Sequence, residues 1–275
     1  MVNVGGSMWR IIKLRVKTYL GLIYTSFLQR LAYIDSTWIN IVEGVLAVFL
    51  QVSLWKALIN SGTQEIVLED MIAFVIVNSI AGYISAYAPA NNISNKLEDG
   101  MIAIEMILPI NFKLKLFSEN LGNNLYDCLF SGIPGLLVAV ICFRVAYPKS
   151  LVNFLGFMVA ILLGMCISYN ITYIFGLTAF WIIKPWYIKF LVNGLTKLLG
   201  GLVVPLWFYS DWLFKICDIL PFKYITYVPI EIYLGRYKEN MFKCFFVQIV
   251  WLVCLISIEK IIWEKAKKSI FVQGG

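Results

Sequence analysis

Long apolar runs separated by short polar breaks set the pattern of this chain. A hydrocarbon layer about 30 Å thick needs roughly 20 helical residues to cross it. Six runs meet that length: Thr37–Ile59, Met71–Ala90, Leu125–Val145, Leu151–Phe175, Phe190–Phe208 and Met241–Trp263. Between them the polar breaks are too brief to house a soluble domain. The pattern predicts an all-α integral membrane protein of about six transmembrane helices, forming one domain over residues 1–275.

Three segments depart from the plain alternation. Before the first run, residues 8–30 mix Trp9, Ile12, Leu14 and Tyr19 with five cations, among them Arg10, Lys13 and Lys17. That mixture suits an interfacial (elbow) helix whose basic stems reach lipid headgroups. After the second run, residues 91–110 place Ile93, Leu97, Met101, Ile104 and Leu108 at helical spacing among Asn95, Glu98 and Asp99. This predicts a short amphipathic helix, broken at Gly100 and stopped at Pro109. Before the last run, residues 200–235 are apolar and aromatic, yet Gly200, Gly201, Pro205, Pro221 and Pro229 break them. Such backbone enters a membrane only where protein or water satisfies its polar groups. The expectation is one or two short helices re-entering the outer leaflet.

Composition adds orientation and removes chemistry. With 60% apolar residues, 14% charged residues and a mean hydropathy of +0.80, the membrane reading leaves little over. The net charge of +7 fits retention of basic residues on the cytoplasmic side rather than nucleic-acid binding. With both termini inside, 14 of the 23 cations fall in the cytoplasm and 8 outside, leaving Lys197 within a span. The start of the chain lacks the apolar core of a signal peptide. No histidine is present, which removes imidazole bases and ligands. The six cysteines show no CxxC spacing and read as buried free thiols. No nucleotide-binding P-loop or GxSxG motif occurs, so catalytic residues, cofactors and metals are expected to be none in this chain.

Charges inside the runs are the remaining candidates. Glu43 and Lys197 sit at similar depth in the first and fifth runs, and Asp127 lies near the start of the third. Glu43 and Lys197 either form an ion pair, face a polar pathway, or resolve separately by snorkelling and local hydrogen bonding.

The arrangement resembles the permease subunits of type-2 ATP-binding-cassette (ABC) transporters, in their compact bacterial subgroup. The elbow-like segment before the first run carries part of the likeness. The stretch with Gly100, Leu108 and Pro109 is similar to the family's coupling region, although Glu98-Asp99 stand where a basic residue is common. Gly201, Pro205, Pro221, Phe222, Tyr227 and Pro229 resemble its Gly-x-x-x-Pro, Pro-Phe and Tyr-x-Pro pattern, and the chain closes on VQGG. The resemblance implies a permease dimer in a prokaryotic plasma membrane. Each permease, identical to its partner or homologous, would be coupled to separate cytoplasmic ATPase subunits that hold ATP and Mg. It assigns ATPase coupling to Asn95, Leu97, Glu98, Asp99, Gly100, Met101, Leu108 and Pro109.

Two other classes share the hydropathy pattern. A stand-alone secondary transporter or channel would use Glu43 and Lys197 as coupling charges, but the two halves of the chain look dissimilar. A membrane-embedded lipid-modifying enzyme would need a polar constellation, and the chain offers only scattered acids.

Overall fold

The computed structural model describes residues 4–60, 68–84, 88–143, 148–182, 186–237 and 239–273. In chain order the α-helices are α1 (Val4–Leu31), α2 (Ile34–Asn60), α3 (Leu68–Ile84), α4 (Ala88–Glu98), α5 (Met101–Ile107), α6 (Phe112–Asp127), α7 (Ile133–Cys142), α8 (Leu151–Thr178), α9 (Trp186–Leu199), α10 (Asp211–Ile219), α11 (Tyr227–Leu234) and α12 (Met241–Gln273). No strand occurs among the described residues.

Four stretches are long and apolar enough to cross a membrane: Thr37–Leu58, Phe112–Cys142, Leu151–Trp181 and Met241–Lys268. The third apolar run therefore begins well before Leu125. It is one continuous helix in which a π-turn, Cys128–Gly132, joins α6 to α7. Pro134 follows at the start of α7, and a widened turn relieves the clash of its ring with the preceding carbonyls.

The second and fifth runs are corrected. α3 spans only 17 residues, and residues 85–87 of the expected Met71–Ala90 span lie outside the described set. α9 has 14 residues and ends before Gly200, so Phe190–Phe208 is not one helix. Gly201 takes a left-handed φ of 70°, and Leu206–Phe208 is a 3-10 turn. Hydropathy continues through this break because the coil is buried against aromatic rings: Phe208 stacks on Trp55 at 4.9 Å, and Trp207 meets Phe74 edge-on at 4.9 Å.

Burial organises the bundle around α3 and α8. Met71 through Val77 are all buried, each at most 8% exposed. They join a large core with Phe157, Ile161, Leu206, Ile225, Val228 and Ile230. α12 is pinned by buried Gln248, whose side-chain amide donates to the carbonyls of Ala160 at 2.9 Å and Tyr224 at 3.0 Å. A second, smaller core at the α4–α5 end gathers Ile93, Ile102, Phe112, Leu116, Tyr169, Tyr173 and Leu177.

α1 does more than lie apart as a separate surface helix. It runs along α6: Tyr19 accepts from the Asn111 amide at 3.4 Å, and Arg30 pairs with Asp127 at 2.6 Å. Between them, a side chain on Gly122 would drive into the Ile23 carbonyl. Lys13 and Lys17 are exposed. The side chains of Trp9 and Arg10 lie outside the described residues.

Candidate functional site

The most structured polar region is the hairpin of α4 and α5 with the base of α6. α4 ends at Glu98, and the chain reverses through Asp99 and Gly100, the latter at φ 68°. Left-handed backbone at that position is what the glycine permits. α5 then runs to Ile107 and stops as Leu108 turns extended before Pro109. Asn111 caps α6 by accepting the Leu114 amide at 3.0 Å.

One face of this hairpin is anchored. Ile93 and Ile102 are buried in the smaller core, and half-buried Leu97 packs against it. Charges tie the same face to α6. Lys96 reaches Glu105 at 2.7 Å and Glu119 at 3.4 Å, while Lys115 reaches Glu105 at 2.7 Å and Glu119 at 3.5 Å. Four charges on three helices thus form a closed ring in which each cation serves two carboxylates. Burial alone would push the Glu105 carboxyl up. The hydrogen bonds and charges of Lys115 and Lys96 outweigh it and hold the group below its ordinary value.

Beneath the ring, the base of α6 is fixed to α8 and α12. Lys113 pairs with Glu259, which is 9% exposed at its side chain, and donates to Asn170 at 2.8 Å. Tyr169 donates its hydroxyl to the Lys113 carbonyl at 2.7 Å. Phe112 stacks on Trp263 at 5.6 Å and 6°. The base of α6 is thereby tied to both α8 and α12.

The other face is open. Asn95, Glu98, Asp99, Gly100, Met101, Leu108 and Pro109 are exposed, as are Ile104 at 58% and Ile107 at 83%. Apolar side chains and two acids thus share one rim on a braced hairpin. Of the sequence-derived coupling set, Leu97 alone turns inward.

The other candidate residues are scattered. Asp127 pairs with Arg30 of α1. Glu43 and Lys197 do not pair with each other, and both are exposed. Gly201, Pro205, Pro221, Phe222 and Pro229 are all buried, consistent with short helices packed into the main core. α10, a 3-10 turn at Pro221–Tyr224 and α11 make up that segment. Beside them opens a pocket of about 790 Å³ lined by Trp207, Tyr224, Tyr227, Glu231 and Arg236. Sequence reasoning missed Lys96, Glu105, Lys115, Glu119, Lys113 and Glu259. The only local signal was Lys115 and Glu119 at i,i+4.

Four helical stretches long and apolar enough to cross a bilayer define a multi-pass membrane protein. A family model described as an ABC-2 family transporter protein matches residues 62–274, and the chain belongs to that family. It is therefore a permease of the ABC transporters. A search of curated proteins gives no match.

Proposed function

We propose that the chain is the membrane subunit of an ATP-driven exporter. It pairs with a second permease and receives force from separate cytoplasmic ATPase subunits, which hold ATP and Mg. The α4–α5 hairpin is the coupling element, with its Met101–Ile104–Ile107 and Glu98–Asp99 rim seated on the ATPase. In this reading both termini face the cytoplasm of a prokaryotic cell, α1 meets lipid headgroups through Lys13 and Lys17, and residues 200–235 lie toward the exterior. Together with α3 and α9, the four long stretches complete a six-segment layout. No nucleic acid is involved.

The observation that carries this reading is the two-sidedness of the hairpin. An exposed Ile104 and Ile107 are costly on a segment standing in water unless a partner covers them. A rigid brace on the opposite face is what converts that partner's movement into movement of α6. A nucleotide shifts a two-state equilibrium only by its differential binding, so the energy must enter through such a handle.

The test is co-purification from native membranes with ATP hydrolysis as the readout. A bound ATPase is expected, and its substrate-stimulated turnover should be lost in Glu98→Lys/Asp99→Lys and in Ile107→Asp, with unchanged melting of the permease. A chain always isolated free of any ATPase, or full stimulation in both variants, overturns the reading.

A further inference from the structure

The pocket of about 790 Å³ beside α10 and α11 plays no part in coupling at the hairpin, and its size suits a small ligand. Two tight turns build it. α11 ends at Gly235, which takes a left-handed φ of 66°. The chain reverses there, and the Arg236 and Tyr237 amides both donate to the Glu231 carbonyl, at 2.9 and 3.2 Å. That reversal sets Arg236 over the Trp207 ring at 5.4 Å and against Asp70 of α3 at 2.5 Å. The second turn, Pro221–Tyr224, sets Lys223 over the Tyr224 ring at 4.8 Å and beside Asp218 of α10. At the head of α12, Lys243 pairs with Glu239 at 3.1 Å.

Two properties of the lining narrow the ligand. The first is charge. Asp218, Glu231 and Glu239 stand against Lys223, Arg236 and Lys243, so the described lining has no net charge. Each of these cations already holds a carboxylate, Lys223 that of Asp218, Arg236 that of Asp70 and Lys243 that of Glu239. An incoming anion has to displace a carboxylate, and an incoming cation has to displace a lysine or arginine. Either exchange leaves a charge without its partner. A hydroxyl group avoids that cost. It donates to a carboxylate and accepts from an ammonium at once, so neighbouring hydroxyls lie along an ion pair without opening it. Hydrogen bonds of this kind, with one ionised member, are stronger than those between neutral groups. The side chains of Asp218, Glu239 and Lys243 are each more than half exposed, so they are within reach.

The second property is the walls. Trp207, Phe214, Tyr224, Tyr227 and Tyr237 all line the pocket. Trp207 and Tyr227 lie 5.8 Å apart with their rings inclined at 50°. Flat ring faces gather C–H groups by dispersion, and the tyrosines add a hydroxyl at each edge. The lining therefore matches a molecule with an apolar face, a hydroxyl-rich edge and no charge.

We propose that this pocket binds an uncharged polyhydroxylated group, a pyranose ring, presented as a free glycoside or as the headgroup of a glycolipid. The ring's C–H groups stack on the aromatic walls, and its hydroxyls bridge the ion pairs. α10 gives Phe214 and Asp218 to the pocket and exposes Trp212 and Ile219, a surface for the acyl chains of a membrane-borne ligand. That the pocket opens to the exterior rests on the orientation proposed for the permease; the chemistry of the lining does not.

The permease is purified without glycosidic detergent and placed in nanodiscs. Methyl β-maltoside is titrated by saturation-transfer NMR, and a diglucosyl diacylglycerol carried in the discs is followed by native mass spectrometry. Saturable binding is expected in at least one arm. Binding of the free glycoside shows that the ring suffices; binding confined to the glycolipid shows a membrane-borne ligand, and both support the site. Phe214→Ala and the double variant Glu239→Ala/Lys243→Ala should each weaken binding by roughly tenfold, the loss of about one good contact. The exchange Glu239→Lys/Lys243→Glu keeps an ion pair on the rim and should stay within about threefold of the parent. Unchanged melting of these variants shows that the fold is intact, and Phe214→Ala carries the test if the double variant melts lower. No binding in either arm overturns the proposal. So does tighter binding of inorganic phosphate, tetramethylammonium or phosphocholine than of the glycoside, or affinity equal in parent and variants. ATPase co-purification is scored separately. An intact ATPase complex without glycoside binding refutes this site alone, and glycoside binding to a chain never found with an ATPase refutes the exporter reading alone.

Discussion

The base of α6 and the α2/α9 side handle charge in opposite ways. At the base, Lys96, Glu105, Lys115 and Glu119 close a ring and Lys113 pairs with Glu259. Every one of those side chains is at most 24% exposed. On the α2/α9 side, Glu43 and Lys197 are exposed, and no ion pair within the described chain includes them. Half-buried charges satisfied within the chain make a rigid body. The same residue types are thus paired and largely buried in one place, and exposed outside any ion pair among the described residues in the other.

The sharpest way to break this comparison is to remove one acid from each region. Glu105→Ala strips a shared carboxylate from two lysines that keep their positions, and breaking a buried pair in this way costs on the order of 3 kcal/mol. The isolated permease in detergent should melt several degrees lower. Glu43→Ala in the same preparation should move stability by less than about 0.5 kcal/mol, as exposed substitutions do. Equal shifts in the two variants would erase the distinction between braced and unsatisfied charge.

A second contrast uses glycines. Gly122 faces the backbone of α1, where an added Cβ would collide with the Ile23 carbonyl and approach Ser26 Cβ at 2.9 Å. Gly122→Val should push α1 off α6, at about 1–3 kcal/mol of overpacking strain. The readout is faster tryptic cleavage at Lys13, Arg15 and Lys17. Gly82 on α3 has nothing within 4 Å of its Cβ position, so Gly82→Ala should leave the digestion pattern unchanged. Identical digestion of the Gly122 variant and the wild type would show that α1 is not docked along α6.

Local rules reached some of these features and not others. The break at Gly100 and the stop at Leu108–Pro109 were legible because left-handed backbone and a missing amide are properties of single residues. The extent of α1 was nearly so, since a proline-free run that mixes apolar, aromatic and basic residues suits one interfacial helix. Lys113 and Glu259 are 146 residues apart, and only packing of α6 on α12 brings them together. The fifth run was misread for a related reason. Hydropathy reports that Leu202–Phe208 avoids water, but not whether a helix in lipid or a coil under Trp55 and Phe74 shields it. Glu43 and Lys197 were visible as anomalies from the start. That no ion pair among the described residues includes them depends on packing, which the sequence does not display.

The smallest expected effect concerns acid. Glu105 is held below its ordinary carboxyl value, because Lys115 and Lys96 stabilise its charged form by more than burial penalises it. A depressed folded-state value means that the unfolded chain binds the proton first as pH falls. The ring's contribution is therefore complete above the unfolded carboxyl value of about 4.3, and is lost as pH drops through the lower folded value. A spin label at Ile104→Cys, on the exposed face of α5, should report constant mobility from about pH 8 to about pH 5 and a rise only below about pH 4. Glu119 shares both lysines, so the control is Glu105→Gln, in which the Glu105 share of that rise is absent. A step near neutrality in the parent, or an undiminished acid step in the Gln variant, would mean that the hairpin is held by its apolar face alone. The brace would then be Ile93 and Ile102 rather than the ring of charge.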